Sequence, residues 1–236
     1  MTKNLNEVIV PRRATDRFHS SHGWLDSWHT FSFADHYDPA FAGLGPLRVL
    51  NDDTVAPKMG FGTHPHQNME IISYVISGQL AHRDSLGNGR TIRAGEFQYL
   101  SSGKGITHSE FNPSSELPVH FLQIWIAPQE RDGEPRYQEK STSSLREKEG
   151  LTLIASPDGQ QDSIAIRQQA FLNFGRLSAG SSLTPESPSN SHWLHLIKGS
   201  LTLAGESLHP GDGAALSGSL PNMSATSETE FLLFHL

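Results

Sequence analysis

The sequence predicts an all-β chain of two tandem barrels, and three observations carry that prediction. Short runs of β-branched, aromatic and aliphatic residues recur at intervals of roughly 8–12 residues, each closed by a glycine- or proline-containing turn. With 21 Gly and 14 Pro in 236 residues, the chain is interrupted too often for long helices, which again favours short strands. Finally, Leu208-His209-Pro210-Gly211-Asp212-Gly213 echoes Ile92-Arg93-Ala94-Gly95-Glu96. This faint internal repeat suggests a second barrel built on the plan of the first.

Residues 8–33 mix short apolar stretches with polar and aromatic residues. Their histidines, His19, His22, His29 and His36 just beyond, read as hydrogen-bonded structural residues. Pro39, Gly43, Gly45 and Pro46 make residues 35–46 a loop, and Phe33, Tyr37 and Phe41 are candidates for the border of a pocket. Leu47–Asn51 reads as a strand, with Asn51-Asp52-Asp53 as its turn. Met69–Ser77 is β-rich and closes at Gly78; Gln79–Asp84 pairs back, and Leu86-Gly87-Asn88-Gly89 is a hairpin turn. Residues 91–100 continue the rhythm, and Val119–Ile126 alternates before Pro128. The polar stretch to Gly150 reads as a connection, and strands resume at Leu151. The expected domains are therefore a metal-binding barrel over 1–130, a linker over 131–150 and a second barrel over 151–236.

The bulk numbers restrict the function. A formal net charge of −7 leaves no basic surplus to neutralise phosphates, so direct binding to nucleic acid is not expected. The chain has no cysteine, which removes thiolate nucleophiles and Fe–S clusters and leaves histidine and carboxylate as metal ligands. Met1–Arg13 shows neither the apolar core nor the cleavage site of a signal peptide, and no apolar run approaches ~20 residues. A soluble cytoplasmic protein without a membrane interaction is the expectation.

Two phrases carry the chemistry. Gly60-Phe61-Gly62-Thr63-His64-Pro65-His66-Gln67-Asn68-Met69-Glu70 holds His64 and His66; Gly105-Ile106-Thr107-His108-Ser109-Glu110-Phe111-Asn112 holds His108 and Glu110. Residues i and i+2 of a strand point to the same face. Two such pairs on neighbouring strands would bring three imidazoles and a carboxylate to one point. That donor set suits iron, manganese, nickel, copper or zinc. Glu70 and Glu110 both count as inward-facing from their nearest histidines, so parity does not choose between them.

The spacing His64-x-His66-x-x-x-Glu70 followed by Gly78, and Gly95 to Asn112 with Gly103 and His108-x-x-x-Asn112, resembles the two motifs of the cupin barrels. The finer wording is similar to that of the pirins: His64-Pro65-His66, the run Gly103-Lys104-Gly105-Ile106-x-His108-Ser109-Glu110, and Gly23-Trp24-Leu25-Asp26-Ser27-Trp28-His29-Thr30-Phe31-Ser32-Phe33. Among them it resembles the short bacterial pirin-like proteins described as quercetin 2,3-dioxygenases. The likeness is dense over roughly residues 18–137 and thin beyond.

The resemblance implies a bicupin whose N-terminal barrel binds one divalent ion, Fe(II) first, with Mn, Ni, Cu or Zn as alternatives, through His64, His66, His108 and Glu110. Glu110 is then both ligand and catalytic carboxylate, and Glu70 a supporting residue or proton acceptor. The implied reaction is cleavage of a flavonol such as quercetin by O2 with release of carbon monoxide. A rival reading is a metal-binding regulatory or redox-sensing protein that acts through a protein partner; another is a cupin enzyme acting on a different small aromatic substrate. In the second half Glu186, Pro188 and His192 fall at the positions of the first motif and Asn222 near the second. A degenerate barrel without metal is expected there.

Overall fold

The computed structural model describes residues 8–141 and 148–236, and within them the chain forms two compact units. Strand β1 (Val8–Arg12) belongs to the later unit. The earlier unit contains β2 (Phe18–Ser21), β3 (Leu25–His29), β4 (Leu47–Val55), β5 (Gly60–His66), β6 (Glu70–Ser77) and β7 (Gln79–Asp84). It continues with β8 (Gly89–Arg93), β9 (Glu96–Ser101), β10 (Ile106–Phe111), β11 (Val119–Ile126) and β12 (Arg136–Ser141). These strands form two antiparallel sheets, ordered β12-β9-β6-β11-β4-β3-β2 and β5-β10-β7-β8.

Among the described residues, two apolar clusters flank a polar strip in this unit. One gathers Val55, Val75, Leu80, Ile92, Val119 and Phe121, with Trp24, Leu25 and Phe61 against it. The other joins Ile71, Leu100 and Ile106 to Met69, Trp125 and Tyr137. Along β6, Ile71 belongs to one cluster and Val75 to the other, while Ser73 between them is polar and fully buried. Directly opposed residues of adjacent strands share a face, so Ser73, Gln123, Asn51 and His29 form one polar row across β6, β11, β4 and β3. A polar row between two greasy clusters marks where this unit gives up core packing. Gly78 makes the turn from β6 to β7 at φ +80, and a Cβ there would lie 2.7 Å from the Pro118 carbonyl oxygen. Both the left-handed backbone and the space require glycine.

The later unit contains β1, β13 (Gly150–Ser156), β15 (Phe171–Leu177), β16 (Ser182–Leu183), β17 (Ser191–Lys198) and β18 (Leu201–Leu203), then β19 (Glu206–Leu208), β20 (Gly213–Ser217), β21 (Met223–Ala225) and β22 (Thr229–His235). The short β14 (Ile164–Ala165) groups with the earlier unit. One sheet runs β1-β20-β17-β22-β15-β13, the other β16-β21-β18-β19. Their core is almost wholly aliphatic: Leu194, Leu196, Leu201, Leu203, Met223, Phe231 and Leu233 are all buried.

Three expectations from the sequence need correction. The span expected for the first barrel, 1–130, is displaced at both ends. β1 pairs with β20, Ile9 against Leu216, and Ile9 packs on the later core, so residues 8–17 belong there. The expected linker 131–150 contains β12, which extends the earlier sheet by pairing with β9; its residues 142–147 lie outside the described residues, as do residues 1–7 of the expected N-terminal barrel. The third correction concerns Asn51-Asp52-Asp53, which is the middle of β4 and not a turn. Asn and Asp favour turns because their side chains bond the local backbone. Here they bond across the sheet instead, Asn51 to His29, Asp53 to Ser27 and Asp52 to His120.

Candidate metal centre

β5 and β10 are antiparallel neighbours, and His108 lies directly opposite His64, with Ile106 opposite His66. The ring centroids of His64, His66 and His108 stand 4.5–4.8 Å apart, and each ring offers a nitrogen within 4.8 Å of the others. His64 donates from Nδ1 to the Gly62 carbonyl at 2.8 Å, which leaves Nε2 as the lone-pair atom. Burial, and then the neighbouring His64, push His66 down to about 4. Burial, and then His64, His66 and His82, push His108 down to about 3. Both rings are therefore neutral near pH 7, the state a ligand needs.

His108 is 1% exposed, and among the described residues neither of its ring nitrogens has a hydrogen-bond partner. An unpartnered buried polar group costs about 1–3 kcal/mol. With the half-buried His64 and His66 beside it, His108 forms a cluster that fits a divalent ion, which would accept those lone pairs. Glu110 lies on the same face, beyond a bulge that shifts the β5 register between His108 and Glu110. Its Oε1 accepts from Ser73 at 3.1 Å and its Oε2 from Gln123 at 2.9 Å. Burial pushes its pKa up to about 7, against the lowering effect of those two hydrogen bonds. Glu110 groups within 4.8 Å with His108 and His82, and His108 is common to this group and to the three-histidine group.

Glu70 stands apart. Its carboxylate accepts from Tyr99 and from Ser101 at 2.6 Å, and from the Arg167 backbone N–H at 2.9 Å. It does not line the cavity described below. The parity count from His66 fails because Asn68, at φ +53, interrupts the strand between β5 and β6. Within β6, Ser73 faces Glu110, so Glu70 three residues earlier faces the other way. Asn112 is structural, donating to the Val55 and Leu117 carbonyls, and Lys104 pairs with Glu134 at 2.7 Å.

The cluster opens on a cavity of about 580 Å³. His64, His66 and Glu110 line it from one sheet; Ser27, His29, Asn51, Asp53 and Gln123 line it from the other, with Phe18, Phe33, Phe61 and Trp125 supplying flat apolar wall. Phe33 borders it as expected, whereas Tyr37 is 74% exposed and neither it nor Phe41 takes part. His29, expected to be a structural histidine, is held by Ser20 and Asn51 at 2.8 and 2.9 Å but also faces the cavity. Sequence reasoning missed His82, Ser73, Gln123 and Asp53. His82-x-Asp84 repeats the i, i+2 pattern and was the available signal. Ser73, Gln123 and Asp53 had none, because only the pairing of distant strands assembles them.

Two tandem β units of the cupin kind, the first with a buried histidine cluster opening on an aromatic cavity, define a bicupin. The family model described as Pirin matches residues 11–126, and the one described as Quercetinase C-terminal cupin domain matches residues 153–236. The chain is 42% identical over 231 residues to Quercetin 2,3-dioxygenase of Escherichia coli strain K12, covering 97% of this chain and 99% of the relative. It is 36% identical to the Pirin-like protein of Caulobacter vibrioides, covering 95% and 98%. The crystal structure of the Escherichia coli bacterial pirin YhhW in complex with nickel(II) superposes with a TM-score of 0.91 at 42% identity, covering 97% of this chain and 99% of that one. The chain belongs to the pirin family. Among the described residues no helix is long and apolar enough to cross a membrane.

Proposed function

We propose that this pirin is a metal-dependent dioxygenase that cleaves a flavonol such as quercetin with O2 and releases carbon monoxide. The observation that carries the reading is the unpartnered, buried His108 in a three-histidine cluster that opens on an aromatic cavity. The relative of the same name, alike over nearly the whole length, supports it. His64, His66, His108 and Glu110 would hold one divalent ion. Fe(II) remains the first expectation; the nickel complex of the Escherichia coli relative supports nickel(II), and Mn, Cu or Zn suit the same donors.

A bound divalent ion supplies Lewis acidity that lowers the pKa of the substrate's 3-hydroxyl and makes its anion available to O2. The protein's own groups do the rest. Ser73 and Gln123 fix the Glu110 carboxylate, one donor on each oxygen, where it can take the hydroxyl proton. Phe33 and Trp125, in edge contact at 5.7 Å, and Trp125 with His66 at 5.0 Å, provide an apolar wall for a flat ring and keep water from the anion. The same proposal keeps the cytoplasmic setting expected from the sequence.

The test couples metal analysis of the purified protein to O2 consumption with quercetin, before and after loading with Fe(II) or nickel(II). One ion per chain, with turnover that follows occupancy, is the expected result, and His108→Ala should lose both. A fully loaded protein inert toward quercetin would overturn the dioxygenase reading and favour a regulatory role. Retention of full metal by His108→Ala would sink the ligand assignment.

A further inference from the structure

The wall of the cavity that faces the histidine cluster is built from β3 and β4, and its polar groups differ in how well they are satisfied. His29 is closed through both ring nitrogens, on Ser20 and on Asn51. Asp53 is not closed. It is 4% exposed and lines the cavity, yet Ser27 is its single hydrogen-bond donor among the described residues, bonded to Oδ1. A carboxyl group has room for further donors, and burying one with so few is costly.

A purely structural role accounts poorly for that carboxyl. β3 and β4 are already joined by backbone pairing from Leu25 opposite Val55 to His29 opposite Asn51. A serine–asparagine pair would tie the strands as well without burying an acid. The neighbouring wall is flat and apolar, with Phe18, Phe33 and Trp125. An acceptor set into an aromatic slot matches a ligand that is planar and carries hydroxyl groups on its rings.

Resting on the flavonol reading above, we infer that Asp53 is a specificity-determining residue, which accepts a hydrogen bond from a ring hydroxyl of the substrate other than the one offered to the metal. The site therefore selects polyhydroxylated flavonols over unsubstituted ones. A site built to bond a hydroxyl rejects the analogue lacking it, because the buried acceptor is then left unpaired.

The experiment compares binding of quercetin and 3-hydroxyflavone, which has only the 3-hydroxyl, to metal-loaded protein under nitrogen. The wild type is expected to favour quercetin by about 10- to 100-fold in Kd. Asp53→Leu, of similar volume, should bring that ratio close to unity while metal content stays at one ion per chain. An unchanged ratio in folded, loaded Asp53→Leu overturns the inference. Should that variant fail to fold, Asp53→Asn carries the test: its amide oxygen is a weaker acceptor, and the ratio should fall about three- to tenfold. Here too an unchanged ratio overturns it. O2 consumption by the wild type is followed separately. Discrimination in binding without turnover sinks the dioxygenase reading alone; turnover with a ratio indifferent to Asp53 sinks this inference alone.

Discussion

The two units of this pirin repeat one plan with opposite interiors. Gly78 ends β6 and Gly199 ends β17, at φ +80 and +86, each with its missing Cβ against the backbone of the strand that follows in the sheet. Counted from those glycines and their registers, Ser73 opposite Gln123 corresponds to Leu194 opposite Leu233. His82 opposite Glu110 corresponds to Leu203 opposite Met223. Four polar side chains of the earlier unit thus have four buried aliphatic counterparts in the later one. The fold tolerates both interiors because the sheets are held by backbone pairing. What the earlier unit gives up in core packing it converts into a donor set and a cavity.

Exchanging the interiors tests this comparison most strongly. Met223→Glu would bury a carboxyl where no serine or glutamine awaits it, and should cost about 3–5 kcal/mol in urea unfolding. The reverse change, Glu110→Met, should leave the metal-free protein as stable as the wild type or more so while weakening metal binding, read by calorimetric titration with nickel(II). A Glu110→Met protein that bound the ion with undiminished affinity would remove Glu110 from the ligand set.

A smaller effect separates the polar interior by its protons. Burial raises the pKa of Asp53 to about 7 from an ordinary 3.8. Between those values the folded protein holds a proton that the unfolded chain has released, so this contribution is intact below about 4 and lost as the pH rises toward 7. His66 and His108 are shifted down, and their contribution runs the other way, lost as the pH falls from 6.5 toward about 4 and about 3. Comparing metal-free wild type with Asp53→Asn isolates the carboxyl. The stability of the wild type relative to the variant should fall by ~2–4 kcal/mol from pH 4 to pH 7. A difference independent of pH would show that Asp53 titrates normally.

The smallest expected effect is none at all. His192 and His195 are buried on β17, and His192 bonds His235 at 2.8 Å between their Nδ1 atoms. Replacing His192 and His195 together with glutamine should leave the number of ions bound per chain unchanged by metal analysis. A lower number would place metal in the later unit after all.

How far the sequence could be read follows from the range of each signal. The pairs His64/His66 and His108/Glu110 were legible because a strand alternates every residue, and each pair sits within one strand. The inward parity expected of Glu70 failed because Asn68 turns the chain between two strands, and parity does not survive a turn. Asn51-Asp52-Asp53 was misjudged because composition reports local preference, and these side chains bond residues more than twenty positions away. The departure of β1 for the later unit has the same origin: its partners lie some two hundred residues downstream.

By itself the sequence determined the all-β class, the repeated plan and the imidazole donors, since each is written in short-range periodicity and glycine placement. Only the tertiary structure decided that Glu110, and not Glu70, lines the cavity with His64 and His66, that Ser73 and Gln123 hold it, and that Asp53 lines the same cavity. Those facts depend on which distant strands become neighbours and in what register, and register is settled by the collective packing of the sheets.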